Sequence, residues 1–375
     1  MKNRLFFGKV FLSATMLFTA SLAQAQTPEV VTIPNANFKT ALLNNTAINT
    51  NGDGEIQVSE ATAYTGEIDV ASKNISSLQG IEAFTNITKL RCLNNHLTTL
   101  DLSQNTQLKE VNCNINQLTS LNLGNNTVLE TLRCGKNQLT TLNVSANTGL
   151  KTLICYENEL SALNLSANTA LKELNCNTNS ITMLDLSLNT ALETLRCGKN
   201  QLTALDVSAN TALKKVICYE NQLTQLDLSD NTNLLDLNCS RNNLQVLNVN
   251  NTNNASLQSF KANGNPLLTC IKIDAGFTPP TTWLKEPTAT YSSDCATLSE
   301  EGVATISVKV YPNPVQDLLS IVVLESNEAK LYNMQGQYLE TVRLNTGENT
   351  LDMTKYATGV YFLTIGNSST KIVKQ

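Results

Sequence analysis

Between residues 87 and 254 the apolar positions return with a period of 21 residues. Periods open at Ile87, Leu108, Leu129, Leu150, Leu171, Leu192, Leu213 and Leu234, and read L-x-x-L-x-C-x-x-N-x-L-x-x-L-[DN]-[LV]-S-x-N-T-x. Around Leu132-Arg133-Cys134 apolar and polar residues alternate with period two. That places Leu132 and Cys134 on one side of an extended strand and Arg133 on the other. Leu139, Leu142 and Val144 then return the chain and fill the same interior. So short a period leaves little room for a full α-helix. The pattern therefore predicts one short strand per period, parallel stacking, and a convex side of loops and 3₁₀ turns. Eight strands at ~4.8 Å make a sheet about 40 Å long.

Two columns decide what kind of stack this is. Cys92, Cys113, Cys134, Cys155, Cys176, Cys197, Cys218 and Cys239 are each 21 residues apart. The economical reading is a ladder of small buried apolar groups. Disulfides between neighbours would need converging Cβ vectors, and stacked strands carry them in parallel. Metal or redox chemistry would need clustered, accessible thiolates. The second column is Asn95, Asn116, Asn137, Asn158, Asn179, Asn200, Asn221 and Asn242. It falls where the strand bends into the loop and backbone groups lose their ladder partners; a buried amide can serve an N–H and a C=O there at once. The Asn-Thr pairs, such as Asn147-Thr148 and Asn168-Thr169, are expected in turns on the opposite edge. This pattern resembles the leucine-rich repeat, in the cysteine-bearing form found in internalin-like surface proteins of bacteria. The resemblance covers about residues 87–254 and implies a leucine-rich-repeat solenoid.

A longer period overlies the first. Arg133 to Thr140 recurs at Arg196 to Thr203, and Ile154 to Asn158 at Ile217 to Asn221, each 63 residues on. Three repeats have been duplicated as a block, with their outward residues. Arg133, Lys136, Tyr156 and Glu157 reappear as Arg196, Lys199, Tyr219 and Glu220, and Arg91 holds the same strand position earlier. These are the candidate ligand-binding residues of a concave surface, since Arg and Tyr commonly anchor interfaces. The competing reading is inherited surface with exposed ion pairs. Gly135 and Gly198 are expected to leave room around the two tyrosine rings.

The flanks have their own signals. Lys2 and Arg4, an apolar Val10–Ala20 stretch and Ala23-Gln24-Ala25 read as a secretory signal over residues 1–25. Residues 26–86 should form an N-terminal cap, with Ile68, Val70, Ile75, Leu78, Ile81 and Phe84 making one more repeat. Ahead of it, Asn49 to Glu60 resembles a single EF-hand or dockerin-like loop, with Asn35–Ile48 as the entering helix. The resemblance implies Asn49, Asn51 and Asp53 side chains, the Glu55 carbonyl and bidentate Glu60 as ligands of a structural Ca2+. Asn49 departs from the usual aspartate, which lowers charge and affinity; the alternative is a Gly-rich turn. Residues 255–298 should cap the other end, where Leu257, Phe260, Ala262, Asn265 and Leu267 continue a degenerate repeat. Cys270 and Cys295 lie outside the column and, in an exported chain, are expected to bond to each other, with Trp283 packed beneath.

Residues 299–375 lose the repeat and show short alternating strands, as in a small immunoglobulin-like β-sandwich. The set Val310-Tyr311-Pro312-Asn313-Pro314, Lys330-Leu331-Tyr332-Asn333-Met334-Gln335-Gly336, Ala357-Thr358-Gly359-Val360-Tyr361-Phe362-Leu363 and Lys371-Ile372-Val373-Lys374 resembles the type IX secretion C-terminal sorting domain. The resemblance implies recognition by that machinery and a product secreted from, or attached to, the outer surface of a Gram-negative bacterium.

Composition narrows the function. Among 375 residues there are 49 asparagines, which fit neither helix nor strand interiors unless patterned. Net charge is -5, which removes the electrostatic case for nucleic-acid binding. The one histidine, His96, excludes mechanisms that need two. No further stretch is expected to cross a membrane. The expectation is an exported, non-enzymatic recognition protein that binds a protein or glycan on its concave face. The alternative is a calcium-stabilised structural scaffold or surface-layer component.

Overall fold

The computed structural model describes residues 29–295, 308–323, 325–366 and 368–375. The signal segment and the module boundary expected at residue 299 lie outside the described residues.

The repeats form a stack of short parallel strands. The concave sheet runs β1 (Glu67–Asp69), β2 (Lys89–Arg91), β3 (Glu110–Asn112), β4 (Thr131–Arg133), β5 (Thr152–Ile154), β6 (Glu173–Asn175), β7 (Thr194–Arg196) and β8 (Lys215–Ile217) in spatial order. It continues through Asp236–Asn238 and Ser259–Lys261, so there are ten strands rather than eight. The additional strands come from the two caps. Each middle strand residue is buried while its neighbours face out, as at Thr131-Leu132-Arg133. Leu129, Leu132, Cys134 and Leu139 are wholly buried, and the same positions repeat through the stack. Fully burying one such leucine contributes roughly 1.5–3 kcal/mol.

The return side departs from expectation. The described 3₁₀ turns are only Ile81–Ala83 and Asn254–Ser256, both near the ends. Between the later repeats the return side becomes a second parallel sheet: Gln225–Asp227, Val246–Asn248, Cys270–Lys272 and Thr290–Ser292.

The asparagine column works as a two-sided connector. Asn137 Nδ2 donates to Cys113 O (3.1 Å) and Cys134 O (3.0 Å), and its Oδ1 accepts from the Leu118 N–H (3.0 Å). Each amide thus ties its own repeat to the one before. The residue ahead of each of these asparagines is left-handed: Asn94, Ile115, Lys136, Glu157, Thr178, Lys199, Glu220 and Arg241 have φ of 50–58°. Their N–H groups reach the next repeat, as Lys136 N–H to Tyr156 O at 2.8 Å.

The Asn-Thr column is more than a turn. Asn105, Asn126, Asn147, Asn168, Asn189, Asn210 and Asn231 are fully buried. Asn147 Nδ2 donates to Leu123 O (3.2 Å) and Asn126 O (2.8 Å), while its Oδ1 has no hydrogen-bond donor.

At the C-terminal cap Cys270 and Cys295 are bonded. Trp283 is buried and stacks on Phe260 with ring centroids 4.4 Å apart. Asn265 replaces a ladder asparagine, accepting from the Leu244 N–H at 3.1 Å. Leu267, expected in the core, is 56% exposed, and Leu268 is buried in its place. The C-terminal module pairs a three-stranded antiparallel sheet with a four-stranded one, as a β-sandwich does, around Leu319, Ile321, Leu331, Leu363 and Ile372.

Candidate recognition face

Because alternate strand residues are buried, the concave face is built from the first and third residues of each strand and the residue after each cysteine. β3 to β5 present Glu110, Asn112 and Asn114, then Thr131, Arg133 and Gly135, then Thr152, Ile154 and Tyr156. β6 to β8 repeat this nearly unchanged: Glu173, Asn175 and Asn177, then Thr194, Arg196 and Gly198, then Lys215, Ile217 and Tyr219. Two copies of one block therefore lie side by side, about 14 Å apart at three strand spacings.

Within each block the predicted residues are engaged with one another. Arg133 Nη1 lies 3.3 Å from Glu110 Oε1, and Arg196 Nη1 lies 3.0 Å from Glu173 Oε1. Arg91 pairs with Asp69 at 3.0 Å. Lys136–Glu157 and Lys199–Glu220 are ion pairs at 3.7 and 3.8 Å, and Glu220 also meets Arg241 at 2.8 Å. All these groups are partly exposed, so each pair contributes about 0–1 kcal/mol. They matter more for charge: the guanidinium groups are already matched.

The glycines leave no free room around the tyrosines. A Cβ added at Gly135 would come within 2.6 Å of the Tyr156 ring, and one at Gly198 within 2.6 Å of Tyr219. Each ring lies against the glycine of the preceding strand and stays half-exposed. The Gly135 and Gly198 N–H groups donate to the side chains of Asn114 (2.6 Å) and Asn177 (2.7 Å). Glu110, Glu173, Asn114 and Asn177 were absent from the sequence-derived set. Their signal was present, since all four obey the 63-residue period. Also absent was an ion-pair row on the flank: Glu130–Lys151 at 2.7 Å and Glu193–Lys214 at 2.7 Å, with Lys172 3.7 Å from Glu193.

The thiols of the cysteine column are all free and buried. Burial pushes them up, to about 12 at Cys113, Cys176 and Cys218 and well above the ordinary value at the others. A thiol sealed from solvent and held that far from its thiolate is a poor nucleophile. His96 is exposed.

The loop at Asn49–Glu60 is entered by a helix, Ala36–Leu43, capped by the Asn35 side chain and shorter than expected. Asn49, Asn51 and Asp53 each accept a loop N–H through a side-chain oxygen, and Gly54 is left-handed at φ 83°. The second Asp53 oxygen accepts from Asn51 Nδ2 (3.0 Å) and Gln57 Nε2 (2.7 Å). Glu60 is otherwise committed. Its Oε1 accepts from Thr50 N (2.8 Å), Thr50 Oγ1 (2.8 Å) and Asn51 N (3.2 Å), and its Oε2 caps the next helix at Gln57 N (3.1 Å). Glu55 pairs with Lys39 at 2.6 Å. Burial raises the Glu60 carboxyl, but the hydrogen bonds from Gln57, Thr50 and Asn51 outweigh this and hold it below the usual value.

Among known proteins, residues 309–375 match the secretion system C-terminal sorting domain. In structure, the chain is similar to the functional domain of InlJ from Listeria monocytogenes, which includes a cysteine ladder. Identity is 29% and the TM-score 0.50, over 69% of this chain and 68% of that one. It is also similar in fold to internalin C2 from Listeria monocytogenes, at 20% identity and a TM-score of 0.50, over 55% of this chain and 95% of that one. No curated protein matches the sequence. Among the described residues no helix is long and apolar enough to cross a membrane. The chain is thus a leucine-rich-repeat solenoid of roughly 21-residue turns, with internalin-like structural neighbours, followed by a type IX sorting domain that marks it as secreted, cell-surface or extracellular.

Proposed function

We propose that the protein is a non-enzymatic recognition protein that binds a protein or glycan through the concave sheet, exported from a Gram-negative cell and released or held at its surface. The observation that carries this reading is the duplicated block of outward residues on a rigid sheet, which a ligand can cover with little loss of protein freedom. Probing the mature protein against glycan and protein arrays tests it. Saturable binding weakened by Tyr156→Ala and Tyr219→Ala supports the reading. Concentration-dependent self-association without saturable binding supports the scaffold alternative.

We further propose that the Asn49–Glu60 loop takes Ca2+ as a structural ion, held by Asn49, Asn51, Asp53, the Glu55 carbonyl and Glu60. The order of oxygen-bearing side chains in the loop and the left-handed Gly54 support this. Glu60 must give up its loop donors to ligate, so affinity should be low. The check is the melting temperature with and without calcium: a rise in the wild type that is absent in Glu60→Gln supports an ion, and no rise leaves a self-closed turn.

A further inference from the structure

The concave face carries information about its ligand beyond its position, and this inference rests on the recognition reading above. Each charged group within the two blocks is matched by a neighbour: Arg133 by Glu110, Arg196 by Glu173, and Lys215 by Asp236 at 2.7 Å. What remains for a ligand is uncharged. Each block offers two asparagine amides, one isoleucine and one half-exposed tyrosine held against a glycine, with threonine hydroxyls at Thr131 and Thr152 in the first and Thr194 in the second. An anionic ligand at either arginine would also face the carboxylate of Glu110 or Glu173, which lies 3.3 or 3.0 Å from Nη1. A protein partner of ordinary size would need a contiguous apolar centre, and the two small Ile–Tyr pairs, Ile154 with Tyr156 and Ile217 with Tyr219, lie three strands apart and do not make one.

We propose that the face binds a linear, uncharged glycan laid along the solenoid axis, with sugar faces against Tyr156 and Tyr219 and hydroxyls on the amides of Asn112, Asn114, Asn175 and Asn177. An aromatic ring supplies apolar contact to a sugar face; the four amide oxygens each accept a backbone N–H, which fixes the amides and leaves their Nδ2 groups to donate to sugar hydroxyl oxygens. The blocks are about 14 Å apart, so a polymer that spans them gains from two attachments at once.

Affinity electrophoresis of the full mature chain in dextran, xylan, mannan and mixed-linkage β-glucan, with heparin as the anionic comparison, tests this. The expected result is retardation by at least one uncharged polysaccharide, unchanged between low and high salt. Its oligosaccharides should bind on the order of a hundredfold more tightly once they span both tyrosines. Tyr156→Ala or Tyr219→Ala should return a long oligosaccharide to the short-chain affinity. Tyr156→Phe should retain most of it, and Gly135→Ala should weaken it by pushing the ring aside. Retardation only by heparin, or by no polysaccharide, overturns the glycan assignment. If a protein or anionic ligand then binds with the same tyrosine dependence, the recognition face stands without the inference. Glycan binding indifferent to both tyrosine changes removes the face as well.

Discussion

Two asparagines in one repeat, Asn137 and Asn147, are both buried, yet their loss should cost very different amounts. Replacing Asn137 by alanine takes the only acceptor from the Leu118 N–H. It also removes donors from Cys113 O and Cys134 O, but each of these keeps a second asparagine, Asn116 and Asn158 respectively. An orphaned buried N–H costs about 1–3 kcal/mol and each lost net hydrogen bond about 0.5–1.5, which gives a total of roughly 2–6 kcal/mol. Asn147→Ala removes two hydrogen bonds to carbonyls that are already served by backbone N–H groups, Leu123 O by Asn126 and Asn126 O by Leu129. It also removes an Oδ1 that has no donor. The loss of about 1–3 kcal/mol is then offset by a gain of similar size, leaving roughly 0–1 kcal/mol. The deleted side chain is the same, so cavity terms largely cancel in the comparison. Urea unfolding followed by circular dichroism reads the difference as a shift in midpoint at constant slope. Equal losses for the two variants would refute the assignment of cost to orphaned groups rather than to deleted contacts.

Alkylation of native protein should label none of the eight ladder thiols, and labelling after unfolding should find all eight, with Cys270 and Cys295 recovered as a disulfide in mass spectra; an inter-repeat disulfide in fresh native protein would contradict this. Ile115 is β-branched, 41% exposed and left-handed, so Ile115→Asn should stabilise by about 1 kcal/mol in the same urea assay. Because the Glu60 carboxyl is held below its ordinary value, its contribution to the cap is present above the ordinary glutamate range and lost as pH falls beneath it. An acid-induced drop in melting temperature should therefore be smaller in Glu60→Gln than in the wild type. Deleting residues 309–375 should leave the solenoid's circular dichroism intact but stop its appearance outside the cell, as read by fractionation.

The stacked architecture was legible because burial in a solenoid repeats with the chain: Leu132 is buried for the same reason as Leu153 and Leu174. The free cysteine column and the Cys270–Cys295 bond followed from the same period and its two exceptions. The candidate face was legible only as a set of outward positions. Whether Arg133 is available depends on Glu110, which reaches it from the preceding strand, and period alone does not report such diagonal pairs. The fit of Tyr156 against Gly135 was misread for a related reason, since a glycine gap in one repeat is filled by a side chain from the next. The second sheet begins inside the last two regular periods, at Gln225–Asp227 and Val246–Asn248, and runs on into the C-terminal cap; the consensus there matches that of earlier periods, so the period alone did not report it.

The buried thiols also impose a timetable. A chain bearing this sorting domain leaves through compartments that oxidise thiols. Before its repeats stack, each ladder cysteine is one short loop from the next, and an oxidant that takes up their two electrons and two protons could join the pair. Once a repeat docks, its thiol is sealed in and pushed well above its ordinary value, away from thiolate chemistry. Folding therefore has to outrun oxidation. A solenoid, which grows from any stacked pair by adding neighbours, is well suited to that race. The half-buried Cys270 and Cys295 at its far end are the pair left for the oxidant to join.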